Sequence, residues 1–315
     1  MSEDVGTLES LPAADAVIST KALTRRFGRH RGVFDVNLTV DRGEVFGFLG
    51  PNGAGKTTTI RLLLGLYRPS AGHAAVFGMD PSRHSVQIHR RVGYLPGELA
   101  LFPRLTGRNI LDRVASIRGH LDHRYRDELV DRFSVELDRP VRALSKGNVQ
   151  KLGVLLAFAH RPELLILDEP SSGLDPLMQD EFARLVRETA RDGRTVFLSS
   201  HDLDEVQHLA DRLAIIKDGR VVVTDTVKHM RSSAPRTVEF HFAHPVDPAC
   251  FHGLDGVQVL STDTTAVRFS VAGPIVPLLR VAVGLNPIDM TARPADLEDL
   301  FLAYYRIGAD GKHRS

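Results

Sequence analysis

The segment Glu44-Val45-Phe46-Gly47-Phe48-Leu49-Gly50-Pro51-Asn52-Gly53-Ala54-Gly55-Lys56-Thr57-Thr58 runs an apolar stretch straight into a glycine-rich turn that ends in Lys-Thr-Thr. Glu44 to Leu49 reads as a buried strand and Thr57 to Leu66 as a helix, so the turn lies in a strand-loop-helix context. Gly50 to Thr57 fits the phosphate-cradling pattern G-x-x-x-x-G-K-[ST]. Gly50, Gly53 and Gly55 permit positive φ and close backbone approach, and the N–H groups from Gly53 to Thr58 can converge on a β-phosphate. Lys56 then bridges β- and γ-phosphates, Thr57 offers a hydroxyl to Mg²⁺, and Thr58 reaches the α-phosphate. The nucleotide site is accordingly placed on Asn52, Gly53, Ala54, Gly55, Lys56, Thr57 and Thr58. The competing reading, a glycine turn before a structural helix, does not call for Lys-Thr after three spaced glycines.

A second stretch, Leu164-Leu165-Ile166-Leu167-Asp168-Glu169-Pro170, puts two carboxylates at the end of an aliphatic strand. Ligands of open α/β sheets bind at the strands' carboxyl ends, so Asp168 is expected beside the glycine loop. Asp168 suits a hold on Mg²⁺, and Glu169 suits orienting and deprotonating a water near the γ-phosphate. His201 follows another apolar strand, Thr195 to Ser199, and is placed at the mouth of the sheet as a donor to the γ-phosphate. A carboxylate pair that merely caps a turn, and a structural histidine, are the plainer alternatives. Between these stretches Leu144-Ser145-Lys146-Gly147-Asn148 begins a helix. The remaining histidines form no metal pattern, and His84, His89, His120 and His123 are read as solvated.

Further along the chain, Ala16 to Ser19 and Val33 to Val40 read as strands, paired antiparallel. Residues from about Ile88 to Ala159 read as mainly helical, with Ile110, Val114, Ile117 and Leu121 at helical spacing. Leu164 to Leu167 and Thr195 to Leu198, separated by a helix over Gln179 to Arg191, predict a parallel βαβ core. Asp218-Gly219 predicts a hairpin turn between Leu213–Ile216 and Arg220–Val223. Past Met230 the pattern changes. Thr237–Phe242, Gly256–Leu260 and Thr265–Val271 read as strands, and Pro274–Leu285 and Ala295–Tyr305 as helices.

The 315 residues suit one large or two ordinary domains. With 40 basic against 39 acidic residues, no global field favours nucleic acid or an anionic membrane. One cysteine, Cys250, excludes an internal disulfide framework and fits a reducing compartment. Met1 to Asp15 lacks the basic start and apolar run of a signal peptide. No apolar stretch approaches the roughly 18 residues of a membrane span, so any transport path belongs to another chain.

The three motifs, in this order, resemble the ATPase subunit of ABC transporters, over roughly residues 16 to 230. The resemblance implies an α/β P-loop NTPase with a parallel core sheet, an antiparallel β subdomain and a helical subdomain over about 88–160. A small α+β accessory domain over 231–307 and tails at 1–15 and 308–315 complete the expected layout. The family's domains close head to tail around two ATP molecules. Ser145, Lys146, Gly147 and Asn148 thus correspond to the signature that binds ATP held by a second copy. Gly173, Leu174 and Asp175 correspond to the D-loop at that interface, and Phe27 to the aromatic that stacks on adenine. Gly97 stands where the family's Q-loop usually has a glutamine touching Mg²⁺, so either Glu98 substitutes or the metal keeps an extra water, the reading adopted here.

The loop sequence and Leu297-Glu298-Asp299-Leu300-Phe301-Leu302 resemble the exporter branch of the antibiotic-resistance and daunorubicin-export type. Leu99, Leu101, Phe102 and Pro103 lie where relatives grip their permease, although packing within the helical subdomain explains them equally well. The expected protein is an ATP hydrolase, using ATP and Mg²⁺, at the cytoplasmic face of the membrane. It would drive a separate permease that exports a drug, lipid or other hydrophobic solute. The alternatives are a soluble ABC ATPase acting on ribosome or DNA, and an importer ATPase.

No nucleic-acid partner is expected, and a homodimer of ATPase subunits is.

Overall fold

The computed structural model describes residues 16–28, 31–119, 122–233 and 235–293. The expected helix over Ala295–Tyr305, the Leu297–Leu302 stretch, His120, Leu121 and both tails lie outside them. The chain divides into two compact units, one running to Thr224 and the other from Asp225.

In chain order the first unit contains β1 (Ala16–Arg26), β2 (Gly32–Asp41), β3 (Val45–Leu49), α1 (Lys56–Leu63), β4 (Ala71–Val76), α2 (Pro81–Arg91) and β5 (Val92–Leu95). Then come α3 (Gly107–Arg118), α4 (His123–Phe133), α5 (Lys146–Phe158), β6 (Leu164–Asp168), α6 (Pro176–Arg191), β7 (Thr195–Ser200), α7 (Leu203–Leu209), β8 (Arg212–Lys217) and β9 (Arg220–Thr226).

The central sheet has the order β5-β6-β7-β3-β8-β9. From β5 to β8 every pairing is parallel. These strands are buried on both faces, which explains their continuous apolar runs. Phe197 packs against Phe46 and Phe48, with ring centroids 5.9 and 5.5 Å apart, directly beneath the strand ends that carry the site. Asp218 and Gly219 both take positive φ, 48° and 75°, as a two-residue hairpin turn between β8 and β9 requires. The expected antiparallel pair is present as β1 and β2, in a sheet of order β2-β1-β4.

Three differences from the sequence reading have local causes. Val92–Leu95, read within a helical region, is a strand paired in register with Leu164–Leu167. Four residues are too few to show a period, and Gly93 lies so close to α5 that an added Cβ would stand 2.2 Å from the Ala157 carbonyl oxygen. Strand β4 was missed because Ala71-Gly72-His73-Ala74-Ala75 has little β propensity, and it is held by antiparallel pairing to β1. On α3, Ile110 is buried but Ile117 is 85% exposed, because Leu137 and Leu152 pack at the helix's N-terminal end.

The second unit contains α8 (Val227–Ser233), β10 (Arg236–Phe242), β11 (Val257–Thr262), β12 (Ala266–Val271), α9 (Val276–Gly284) and β13 (Pro287–Arg293). Its antiparallel sheet has the order β11-β12-β10-β13. Phe240, Phe242, Phe251 and Phe269 form its core with Leu278 and Ala282 of α9. Strand β13, not anticipated from sequence, completes the sheet beside β10.

Candidate functional site

The site lies at the carboxyl ends of β3, β6 and β7. The loop after β3 folds as its glycines require: Gly53 and Gly55 have φ of 82° and 114°. A Cβ on Gly50 would meet the Ile216 carbonyl oxygen at 2.4 Å, and one on Gly55 would meet Val33 Cγ1 at 2.6 Å. Gly55 caps α1 with no side-chain acceptor, and the helix has no acidic residue in its first turn. The helix start therefore presents backbone donors and a positive dipole end without internal neutralisation, the arrangement that binds an anion.

Lys56 is 5% exposed. Its Nζ donates to the carbonyl oxygens of Gly50 (2.5 Å) and Pro51 (3.2 Å) and lies 3.0 Å from Glu169 Oε1. Thr57 Oγ1 donates to Asp168 Oδ2 at 2.8 Å, and Ser199 Oγ donates to Asp168 Oδ1 at 2.5 Å. Asp168 is 2% exposed, so each carboxylate oxygen is served by a hydroxyl where water is excluded. Burial, and after it the charge of Asp168, push the Tyr94 phenol above its ordinary pKa.

Glu169 takes a positive φ of 51°, a costly conformation for a non-glycine residue that turns it off the strand end. Its N–H donates to the Ser199 carbonyl at 3.0 Å, and its Oε2 lies 2.7 Å from His201 Nδ1. Lys56, Thr57, Asp168, Glu169 and His201 are thus brought together at one sheet edge, as the sequence predicts.

Phe27 is 40% exposed, edge-on to Tyr67 with centroids 5.5 Å apart, and the Arg25 guanidinium lies 5.0 Å from its ring centroid. Ser145 caps α5, accepting from the Asn148 N–H at 3.2 Å. The Asn148 side chain donates to Glu136 Oε1 at 2.5 Å within the same chain. A Cβ on Gly147 would stand 3.0 Å from the Gly173 carbonyl oxygen, and the Lys146 stem runs past Gly173, so signature and D-loop pack on each other. Leu174 is buried, and Asp175 caps α6 by accepting from the Met178 N–H at 3.0 Å.

A Cβ on Gly97 would lie 3.6 Å from Asp168 Oδ2, whereas Glu98 is exposed. His89, read as solvated, is half-buried with Nε2 2.8 Å from the Leu64 carbonyl oxygen. Sequence reasoning missed Ser199, Ser200, Gln150 and Glu205. Gln150 donates to the Pro170 carbonyl at 2.8 Å, fixing the turn after Glu169 from α5. The signal for the serines was their position at the end of an apolar strand, directly before His201.

The ABC transporter family pattern matches residues 33–172. The bacitracin transport ATP-binding protein BcrA of Bacillus licheniformis is 37% identical over 230 residues, 72% of this chain and 75% of that protein. The chain belongs to the ABC transporter ATP-binding family. The ABC transporter ATP-binding protein YcbN of Bacillus subtilis is 30% identical over 297 residues, 91% of this chain and 96% of its own. The daunorubicin/doxorubicin resistance ATP-binding protein DrrA of Streptomyces peucetius is 37% identical over 221 residues, 69% of this chain and 67% of that protein. Among solved structures, the ATP-binding subunit of an ABC transporter superposes with a TM-score of 0.65 at 30% identity, covering 68% of this chain and 92% of that one. Like other ABC ATPases, the chain binds and hydrolyses ATP as the ATP-binding subunit of a membrane transporter. Among the described residues no helix is long and apolar enough to cross a membrane.

Proposed function

We propose that this ABC ATPase closes with a second copy around ATP and drives export of a drug, lipid or other hydrophobic solute through a separate permease at the cytoplasmic face of the membrane. The observation that carries the catalytic part is the convergence of Lys56, Thr57, Asp168, Glu169 and His201 on one sheet edge. Similarity to the bacitracin and daunorubicin/doxorubicin proteins supports the export reading.

The residues present fit both ATP and Mg²⁺. The uncapped start of α1 and the loop donors suit the phosphates, with Gly53 to Thr58 and Lys56 holding them and Phe27 taking the adenine. The Thr57 hydroxyl, backed by the buried Asp168 carboxylate, suits the metal, whose chemistry is to neutralise phosphate charge. Lys56 would exchange its contact with Glu169 for phosphate oxygens, which frees that carboxylate to orient and deprotonate water. His201 holds Glu169 from the other side and would donate toward the γ-phosphate. Ser145 and Gly147 would complete the site of the second copy.

Affinity capture of the tagged Glu169→Gln protein with ATP from gently solubilised native membranes tests the assignment. A polytopic membrane chain in near-equal amount is the expected result. Ribosomal or DNA-associated partners without a membrane chain would overturn it.

A further inference from the structure

Glu205, in the first turn of α7, takes no direct part in hydrolysis, yet its carboxylate holds the residue that precedes His201. Glu205 Oε2 accepts from Ser200 Oγ at 2.5 Å. Ser200 is the last residue of β7 and precedes His201. The same Ser200 hydroxyl accepts from the Asp202 N–H at 3.0 Å, so it links the residues flanking His201. The Ser200 carbonyl accepts from the Gly50 N–H at 3.1 Å, which ties this turn to the start of the phosphate loop. Asp202 Oδ1 accepts from the N–H groups of Asp204 and Glu205 at 2.8 and 3.2 Å, fixing the helix turn from which the carboxylate projects.

We infer that Glu205 is a positioning residue: through the Ser200 hydroxyl it braces the turn that carries His201 and thereby holds the imidazole on the Glu169 carboxylate. This rests on the assignment of Glu169 and His201 as the hydrolytic pair. The physical reason is economy of motion. His201 is exposed and on a short turn, so its placement on Glu169 depends on how its neighbours in the chain are held. Ser200, which is buried, is the neighbour whose hydroxyl is held by Glu205. Misplacing a catalytic group by about an ångström costs roughly a hundredfold in rate, so a brace of this kind acts on turnover more than on binding.

The test uses the full chain labelled with ¹⁵N, in which the His201 imidazole resonance is assigned by its loss in His201→Gln. In Glu205→Ala the Nδ1 resonance is expected to move toward its position in Glu169→Gln, where the pairing carboxylate is gone, and Ser200→Ala is expected to move it likewise. Glu205→Gln keeps an oxygen for the Ser200 hydroxyl and should hold the resonance near its original place. Turnover should fall about tenfold or more in Glu205→Ala, with KM for ATP within about twofold, and recover largely in Glu205→Gln. An unmoved His201 resonance in both Glu205→Ala and Ser200→Ala would overturn the brace. Unchanged hydrolysis in Glu169→Gln and His201→Gln would instead remove the hydrolytic pair, a failure the resonance measurement does not share.

Discussion

Lys56 Nζ lies 3.0 Å from Glu169 Oε1, and the other oxygen of Glu169 lies 2.7 Å from His201 Nδ1. A cation and an imidazole thus grip one carboxylate between the phosphate loop and the end of β7. The contact with Lys56 competes with phosphate for the same ammonium, so nucleotide entry and release of the carboxylate are coupled by charge.

Removing the carboxylate's charge should separate binding from chemistry. Glu169→Gln is expected to lower turnover by about a hundredfold or more while leaving ATP affinity within a few-fold. Steady-state hydrolysis and equilibrium titration with a fluorescent nucleotide read the two effects. Equal turnover in variant and parent would remove Glu169 from the role of base.

Loss of the ammonium should act on both. Lys56→Ala removes a charge-assisted hold on the phosphates, and the same titration should show affinity reduced by about tenfold or more, with hydrolysis lost. Unreduced affinity would mean that the loop N–H groups suffice.

Ser145 caps α5 at the signature, away from its own chain's phosphate loop in sequence but at a helix start. Ser145→Arg should abolish hydrolysis without weakening ATP binding to the monomer. A parallel fall in monomer binding would show that Ser145 serves its own chain's nucleotide.

His160 supplies a pH dependence with a definite sign. Burial, and after it Arg118, lower its pKa from 6.5 to about 4, against the hydrogen bond from its Nε2 to the Val92 carbonyl. The unfolded chain takes up the proton near the ordinary value while the folded chain resists it. Stability should therefore decline as pH falls from about 6.5 to about 4, by up to about 3 kcal/mol. Urea unfolding across that range, compared between parent and His160→Gln, should show the slope reduced in the variant. An equal slope in both would assign the acid limb to other groups.

Much of this site was legible because its chemistry is local in sequence. The glycine loop follows its own strand, and Asp168 and Glu169 end theirs, so strand polarity alone brings them to one edge. The parallel core was legible for a related reason: strands buried on both faces read as unbroken apolar runs. What escaped was set by tertiary contact. Strands β4 and β5 exist through pairing to β1 and β6, and the roles of Ser199, Ser200 and Glu205 depend on hydroxyl–carboxylate contacts that span different strands and loops. The contact of the Asn148 side-chain amide with Glu136 of its own chain is of the same kind, joining residues that no sequence pattern pairs.

The most direct test of the account is the mass in solution of Glu169→Gln with ATP, measured by sedimentation beside Glu169→Gln carrying Ser145→Arg. The account predicts twice the monomer mass for the first and the monomer mass for the second. Monomer in both, or dimer in both, would contradict a site completed across two copies by Ser145.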